Sequence, residues 1–129
     1  RVEYTSHSKL IEKIKRSYSG NQNSPLDSWL DRKSLLLFDE LGGVGGAANQ
    51  TAWFKAQTAD IIQKMYERWA SGQLSIVITT NLTPQELYKA IDQNTAVFSR
   101  LQAMFGQPVE MIGQDRRAND SALASWGIR

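Results

Sequence analysis

The chain has 129 residues, a net charge of +2, 41% apolar side chains and no cysteine. That is enough length for one domain with its own core, and the mild positive charge permits contact with nucleic acid without demonstrating it. Disulfides and thiolate metal sites are excluded. The lone His7 excludes histidine-cluster metal sites and most Ser-His or Cys-His catalysis, and no apolar run reaches the ~20 residues of a membrane span.

Val2-Glu3-Tyr4 predicts a short strand, and Thr5, Ser6 and Ser8 offer N-caps for the helix that follows. Leu10, Ile11, Ile14 and Tyr18 recur at helical spacing, while Lys9, Lys13, Lys15 and Arg16 crowd the other positions. This basic surface is either a solvated face or one that touches phosphates. His7, beside the helix start, reads as structural or exposed. Ser19 to Pro25 is loop by composition, and Leu26 to Asp31 predicts a short helical turn with Leu26, Trp29 and Leu30 inward.

Leu35-Leu36-Leu37-Phe38 is an unbroken apolar run that ends in Asp39-Glu40. Such a run is the pattern of a strand buried on both faces, and carboxylates at its carboxyl end lie where open α/β sheets place ligands. This is the pattern of a Walker B strand, with an Asp for Mg²⁺ and a Glu to polarise water. Gly42-Gly43-Val44-Gly45-Gly46 is not a phosphate loop, because Ala47 and Ala48 follow where G-x-x-x-x-G-K-[ST] needs Lys and Ser or Thr. The glycines are read as a flexible connection near the site.

Thr58 to Ser71 predicts a helix with Ile61, Ile62, Met65, Tyr66 and Trp69 on one face, stopped by Gly72. Ser75 to Asn81 predicts a second buried strand. Strand, helix and strand at this spacing make a βαβ unit, so the two strands are expected to be parallel, with Asn81 near Asp39 and Glu40. Thr83-Pro84-Gln85-Glu86 is a capping box with Pro at the first helical position. A further helix holds Val97, Phe98, Leu101, Met104 and Phe105, with Arg100 at the border of its apolar arc and Gly106 at its end. Val109 to Ile112 predicts a final strand. Gly113 to Arg129 is a polar tail with Arg116 and Arg117, either mobile or docked through Leu123, Trp126 and Ile128.

Asp39-Glu40, Asn81, Arg100 and Arg117 are therefore expected to converge on one edge of a parallel sheet. Nucleotide hydrolysis asks for these residue types: cations to neutralise the transferring phosphoryl group, and a base to orient water. In order and spacing these segments resemble the AAA+ ATPase domain of bacterial DnaC-type replicative helicase loaders and the similar IstB-type transposition ATPases. Leu35 to Gly42 looks like the Walker B motif, Ile78-Thr79-Thr80-Asn81-Leu82 like sensor 1, and Phe98-Ser99-Arg100-Leu101 like the segment that carries the arginine finger. Val2 to Tyr18 resembles the family's second strand and its helix, Ile62 to Trp69 the helix before sensor 1, and Gly113 to Arg117 its closing motif.

The resemblance implies a three-layer αβα fold with a parallel sheet, of the P-loop NTPase type. By it, Asp39 coordinates Mg²⁺, Glu40 activates water, Asn81 reads the γ-phosphate of ATP, Arg100 acts on a neighbouring subunit's nucleotide, and Arg117 contacts nucleotide. It implies a cytoplasmic, self-associating protein whose partners are a replicative helicase and single-stranded DNA; on charge alone, the basic helix with Lys9, Lys13, Lys15 and Arg16 is the candidate surface for that DNA. The family's first strand, Walker A loop and following helix would precede Val2. The 129 residues are thus expected to be one partial AAA+ domain, incomplete at the N-terminus, with weak or no ATP or ADP binding of their own. Exposed strand edges would be filled by self-association or met by an altered sheet. Two alternatives stay open: a transposition helper acting with a transposase on double-stranded DNA, and a non-catalytic remnant that serves as an interaction module.

Overall fold

The computed structural model describes residues 1–19, 25–43 and 51–111, with the side chains of Tyr18 and Ser19 excepted. Three strands, β1 (Val2–Ser6), β2 (Leu35–Asp39) and β3 (Ser75–Ile78), form a parallel sheet in the order β1-β2-β3. The helices are α1 (His7–Ser19), α2 (Leu26–Asp31), α3 (Ala52–Ala70), α4 (Pro84–Ala90) and α5 (Thr95–Phe105). The expected α/β fold with a parallel sheet is thus present. Among the described residues no helix is long and apolar enough to cross a membrane.

Most helix starts follow local chemistry. Ser6 Oγ accepts the backbone N–H of Lys9, which makes Ser6 the cap of α1. Thr83 and Glu86 form the expected capping box, and the backbone N–H of Thr83 holds the Glu86 carboxyl below its ordinary pKa. Thr51 caps α3 by accepting from Phe54, so this helix begins several residues before the expected Thr58. Asn94 caps α5 through Val97.

Strand order advances in one direction from β1 to β3. Successive right-handed crossovers that advance in the same direction lay their helices on the same face of the sheet. The burial pattern follows this rule. Leu36 and Phe38 of β2 lie in one buried cluster with Leu10, Ile11 and Ile14 of α1, Leu26 and Leu30 of α2, Ile61, Ile62 and Met65 of α3, and Val97 and Leu101 of α5. Ile76 and Ile78 of β3 pack against it. The opposite face carries the register rows Val2–Leu35–Ser75 and Tyr4–Leu37–Val77. There Val2, Tyr4 and Val77 are 62%, 61% and 52% exposed, and Leu35 and Leu37 are half-buried. The expectation that Leu35 to Phe38 is buried on both faces therefore holds for Leu36 and Phe38 alone. The sheet and the described helices on this one face make two layers of the expected three.

The final strand expected over Val109 to Ile112 is not formed through Met111. Val109 and Met111 are 83% and 92% exposed, and Ile112 lies outside the described residues. Alternating apolar residues become a strand only where a neighbour accepts their ladder hydrogen bonds, and no described strand lies beside this segment.

Ion pairs tie α2 to α3 near the amino ends of the strands. Asp27 meets Lys64 at 3.2 Å and Arg68 at 2.8 Å, and Asp31 meets Arg68 at 3.0 Å. Hydrogen bonds from Lys64 and Arg68 hold the Asp27 carboxyl below its ordinary pKa. Lys33 is buried beside them, with its ammonium 3.2 Å from Glu3 and over the Trp29 ring. A cleft of about 270 Å³ lined by Asp31, Glu67, Arg68 and Gln73 belongs to this ion-paired region.

Candidate acidic site at the carboxyl end of the sheet

Parallel strands bring their carboxyl ends to one edge, and the register sets Ser6 beside Asp39. The ladder continues past β3, because Thr79 donates its N–H to Phe38 and accepts the N–H of Leu41 through its carbonyl. Asp39 thus stands between the ends of β1 and β3, on the same face as Tyr4 and Leu37. Its Oδ2 accepts the Tyr4 hydroxyl at 2.8 Å, and its Oδ1 accepts the Thr79 hydroxyl. The bond to Asp39 comes first among the causes that raise the Tyr4 pKa, with the nearby Asp39 and Glu40 charges adding to it.

Thr79 makes a second link. Its Oγ1 accepts the backbone N–H of Glu40 at 3.0 Å. One hydroxyl therefore joins the Asp39 carboxylate to the Glu40 backbone. Glu40 has φ +57°, a left-handed conformation that costs an L side chain about 1–2 kcal/mol. Such a conformation persists where its surroundings over-determine it, and these positions cluster at functional sites. The surroundings here are extensive. Gly43 N–H donates to the Glu40 carbonyl at 2.9 Å, and Thr80 Oγ1 donates to the Leu41 carbonyl at 2.7 Å.

Gly42 completes the turn. It is buried, with φ +96°, and a Cβ there would lie 2.3 Å from Leu82 Cδ1. The positive φ favours glycine, and any side chain there would also have to displace the end of Leu82. Gly42 is therefore pinned, which corrects the expectation of a flexible connection at this position; Val44 to Gln50 lie outside the described residues. The Gly42 N–H is accepted by His7 Nδ1 at 2.9 Å. His7 is fully buried, so of its two expected states the structural one is found.

Asn81 is exposed two residues beyond Thr79, at the same edge as Asp39 and Glu40. Arg100 is not brought there. Its guanidinium lies 5.6 Å from the Tyr66 ring centroid. Tyr66 sits about 21 Å along α3 from the first residue of that helix, and α3 runs antiparallel to the strands it connects, toward their amino ends. The expected convergence thus unites Asp39, Glu40 and Asn81 and sets Arg100 apart. Arg116 and Arg117 lie outside the described residues.

On α1, Lys9, Lys13 and Arg16 recur at a spacing that makes one exposed stripe, with Arg16 paired to Glu12 at 3.8 Å. Lys15 leaves this stripe and lies over the Trp53 ring of α3, 5.3 Å from its centroid. The basic residues expected to act together thus occupy two surfaces of the helix.

Tyr4, His7 and Thr79 are the contributors that motif reading passed over. Thr79 had a readable signal, since aligning the two strands of the βαβ unit residue by residue sets it opposite Asp39. Tyr4 and His7 had none, because their contacts cross from β1 and α1 to β2, the turn after it and α3. The donor set suits a hard cation. A carboxylate is a ligand type that Mg²⁺ takes, one or two at a time, together with water and substrate phosphates; among the described residues no group of three or more His, Cys, Asp or Glu is gathered that could hold a metal ion. No protein-family model matches the sequence, and no curated protein matches it.

Proposed function

We propose that Asp39 and Glu40 form the metal-binding and water-activating part of an ATP-hydrolysing site, within a cytoplasmic AAA+ ATPase of the helicase-loader type. The observation that carries this reading is the pair of adjacent carboxylates at the carboxyl end of the central parallel strand, with Glu40 held in a left-handed backbone. In this reading the Asp39 carboxylate would hold Mg²⁺, which would supply positive charge against the phosphates. Glu40 accepts a proton from the attacking water. The water oxygen bonds to the γ-phosphorus, the bond to the bridging β–γ oxygen breaks, and ADP leaves. Thr79 and Tyr4 orient the Asp39 carboxylate through their hydroxyls. Asn81, at the same edge, senses the γ-phosphate.

Arg100 acts in trans in this reading. Its position against Tyr66, away from its own chain's carboxylates, supports that role over one in the same chain. Subunits then associate so that one supplies Arg100 to the next, and the Lys9–Lys13–Arg16 stripe contacts the phosphates of single-stranded DNA while a replicative helicase is loaded. The IstB-like alternative uses the same site with a transposase and double-stranded DNA.

The test is made on the protein that contains this chain. Glu40→Gln is expected to retain ATP binding and to lose hydrolysis; unchanged turnover would refute the role of Glu40. Arg100→Ala is expected to lower turnover by orders of magnitude in the assembled state, and full activity refutes the finger. A second reading, a non-catalytic interaction module, is favoured by the open apolar sheet face with Val2, Tyr4 and Val77 exposed. Absence of ATP binding by the protein, with Tyr4 or Val77 replacements weakening partner capture, would select it.

A further inference from the structure

We propose that His7 is a positioning residue for Glu40, acting through Gly42. The inference rests on the proposed hydrolytic role of Glu40. His7 is the first residue of α1, and its ring lies 5.6 Å from that of Phe38 in β2 and 4.8 Å from that of Phe54 in α3. Three hydrogen bonds share one consistent arrangement of protons. Nδ1 accepts from the Gly42 N–H at 2.9 Å, so the ring proton sits on Nε2. Nε2–H then donates to Thr58 Oγ1 at 3.0 Å, and the Thr58 hydroxyl donates to the Phe54 carbonyl at 2.8 Å. A second ring proton would face the Gly42 N–H and break the chain of bonds. Burial, which lowers the His7 pKa to about 4, keeps the ring in this neutral form.

The consequence falls on Glu40 because two anchors bracket its backbone. On one side Thr79 accepts the N–H of Glu40 and of Leu41. On the other side His7 accepts the N–H of Gly42, and the next residue, Gly43, donates to the Glu40 carbonyl. The left-handed φ of Glu40 opposes both anchors. Without the acceptor at position 7 the Gly42 N–H loses a buried hydrogen bond, and the turn that Gly42 closes can relax. Glu40 would then leave its left-handed backbone conformation. Filling space between Phe38 and Phe54 is a separate role that any ring of similar size performs.

Two substitutions separate these roles. His7→Phe keeps the ring volume and removes the acceptor. His7→Asn gives up volume and keeps an acceptor oxygen near the place of Nδ1. Two readouts apply: amide hydrogen exchange at Glu40 and Leu41, referenced to Ile61 and Ile62 in the core, and the split of kcat from KM for ATP. Positioning predicts that His7→Phe raises exchange at Glu40 and Leu41 about tenfold or more relative to the core. It also predicts that kcat falls by about tenfold or more while KM for ATP stays within about threefold. His7→Asn restores both, even where its overall stability is lower.

The proposal is overturned if His7→Phe leaves Glu40 exchange and kcat at wild-type values. It is equally overturned if both variants change these readouts only in proportion to global stability. Should His7→Phe fail to fold, His7→Met supplies a second variant without a ring acceptor. If neither folds while His7→Asn does, His7 serves the fold itself and the positioning role is refuted. A wild-type protein that hydrolyses no ATP removes the hydrolytic reading of the site, and the exchange readout then still decides whether His7 holds the Glu40 backbone.

Discussion

The two faces of the sheet are made by the same apolar run and meet different fates. Leu36 and Phe38 point into the cluster built by α1, α2, α3 and α5, and are 0% and 1% exposed. Leu35 and Leu37, their immediate neighbours, belong to the face that also carries the exposed Val2, Tyr4 and Val77. The composition of a strand therefore does not say how many of its faces are covered. Cover comes from where the crossovers lie, and crossovers that advance in one direction cover one face. Asp39 extends the open face at its carboxyl end, and Gly42 with His7 closes the covered one. The acidic turn lies where the two faces meet.

The sharpest break of this comparison is a pair of truncations. Phe38→Ala is expected to cost about 3–5 kcal/mol through lost transfer energy and a cavity, whereas Leu37→Ala on the open face should cost about 1 kcal/mol. Urea unfolding of both variants checks this, and equal losses would mean that the open face is covered in solution.

Next in size is the acid response of the covered side. The folded pKa of His7 is lowered to about 4, against about 6.5 for the unfolded chain. Between these values the unfolded state binds the proton that the folded state refuses. The contribution of His7 is therefore complete above pH 6.5 and is lost as the pH falls through about 4, a change on the order of 3 kcal/mol. Unfolding free energies at pH 7, 5.5 and 4.5 should show this slope, and His7→Asn should flatten it.

A smaller effect has the opposite sign. Glu40→Gly is expected to raise stability by about 1 kcal/mol by relieving the left-handed backbone, while hydrolysis is lost. A fall in stability would show that the Glu40 side chain makes contacts that outweigh the backbone cost. Smallest of all, Val77→Thr should shift stability by less than about 0.5 kcal/mol in the isolated chain. A larger shift would show that Val77 is covered in solution.

What could be read in advance was local. The apolar run at Leu35 to Phe38, the acidic pair after it, the Thr83–Glu86 capping box and the helical spacing in α3 and α5 each need only a few neighbouring residues. The βαβ spacing added the parallel pairing of β2 with β3, and with it the nearness of Asn81 to Asp39. Where the reading failed, the deciding contacts came from afar. Val109 and Met111 alternate like a strand but have no described strand beside them. Arg100 has the spacing of a cation that reaches outward, yet it settles on Tyr66 through the packing of α5 against α3.

By itself the sequence determined most of the elements, though not all their bounds, because hydrophobic period, caps and turn residues act within a turn of helix or a few residues of strand. It also determined that two carboxylates would end the strand begun at Leu35. Tertiary structure alone decided which face of the sheet is covered and that His7 is buried and neutral. It also decided that Tyr4 and Thr79 share Asp39, and that Glu40 adopts a left-handed backbone. Each of these depends on groups brought together from distant parts of the chain, whose desolvation and hydrogen bonding have no local signature.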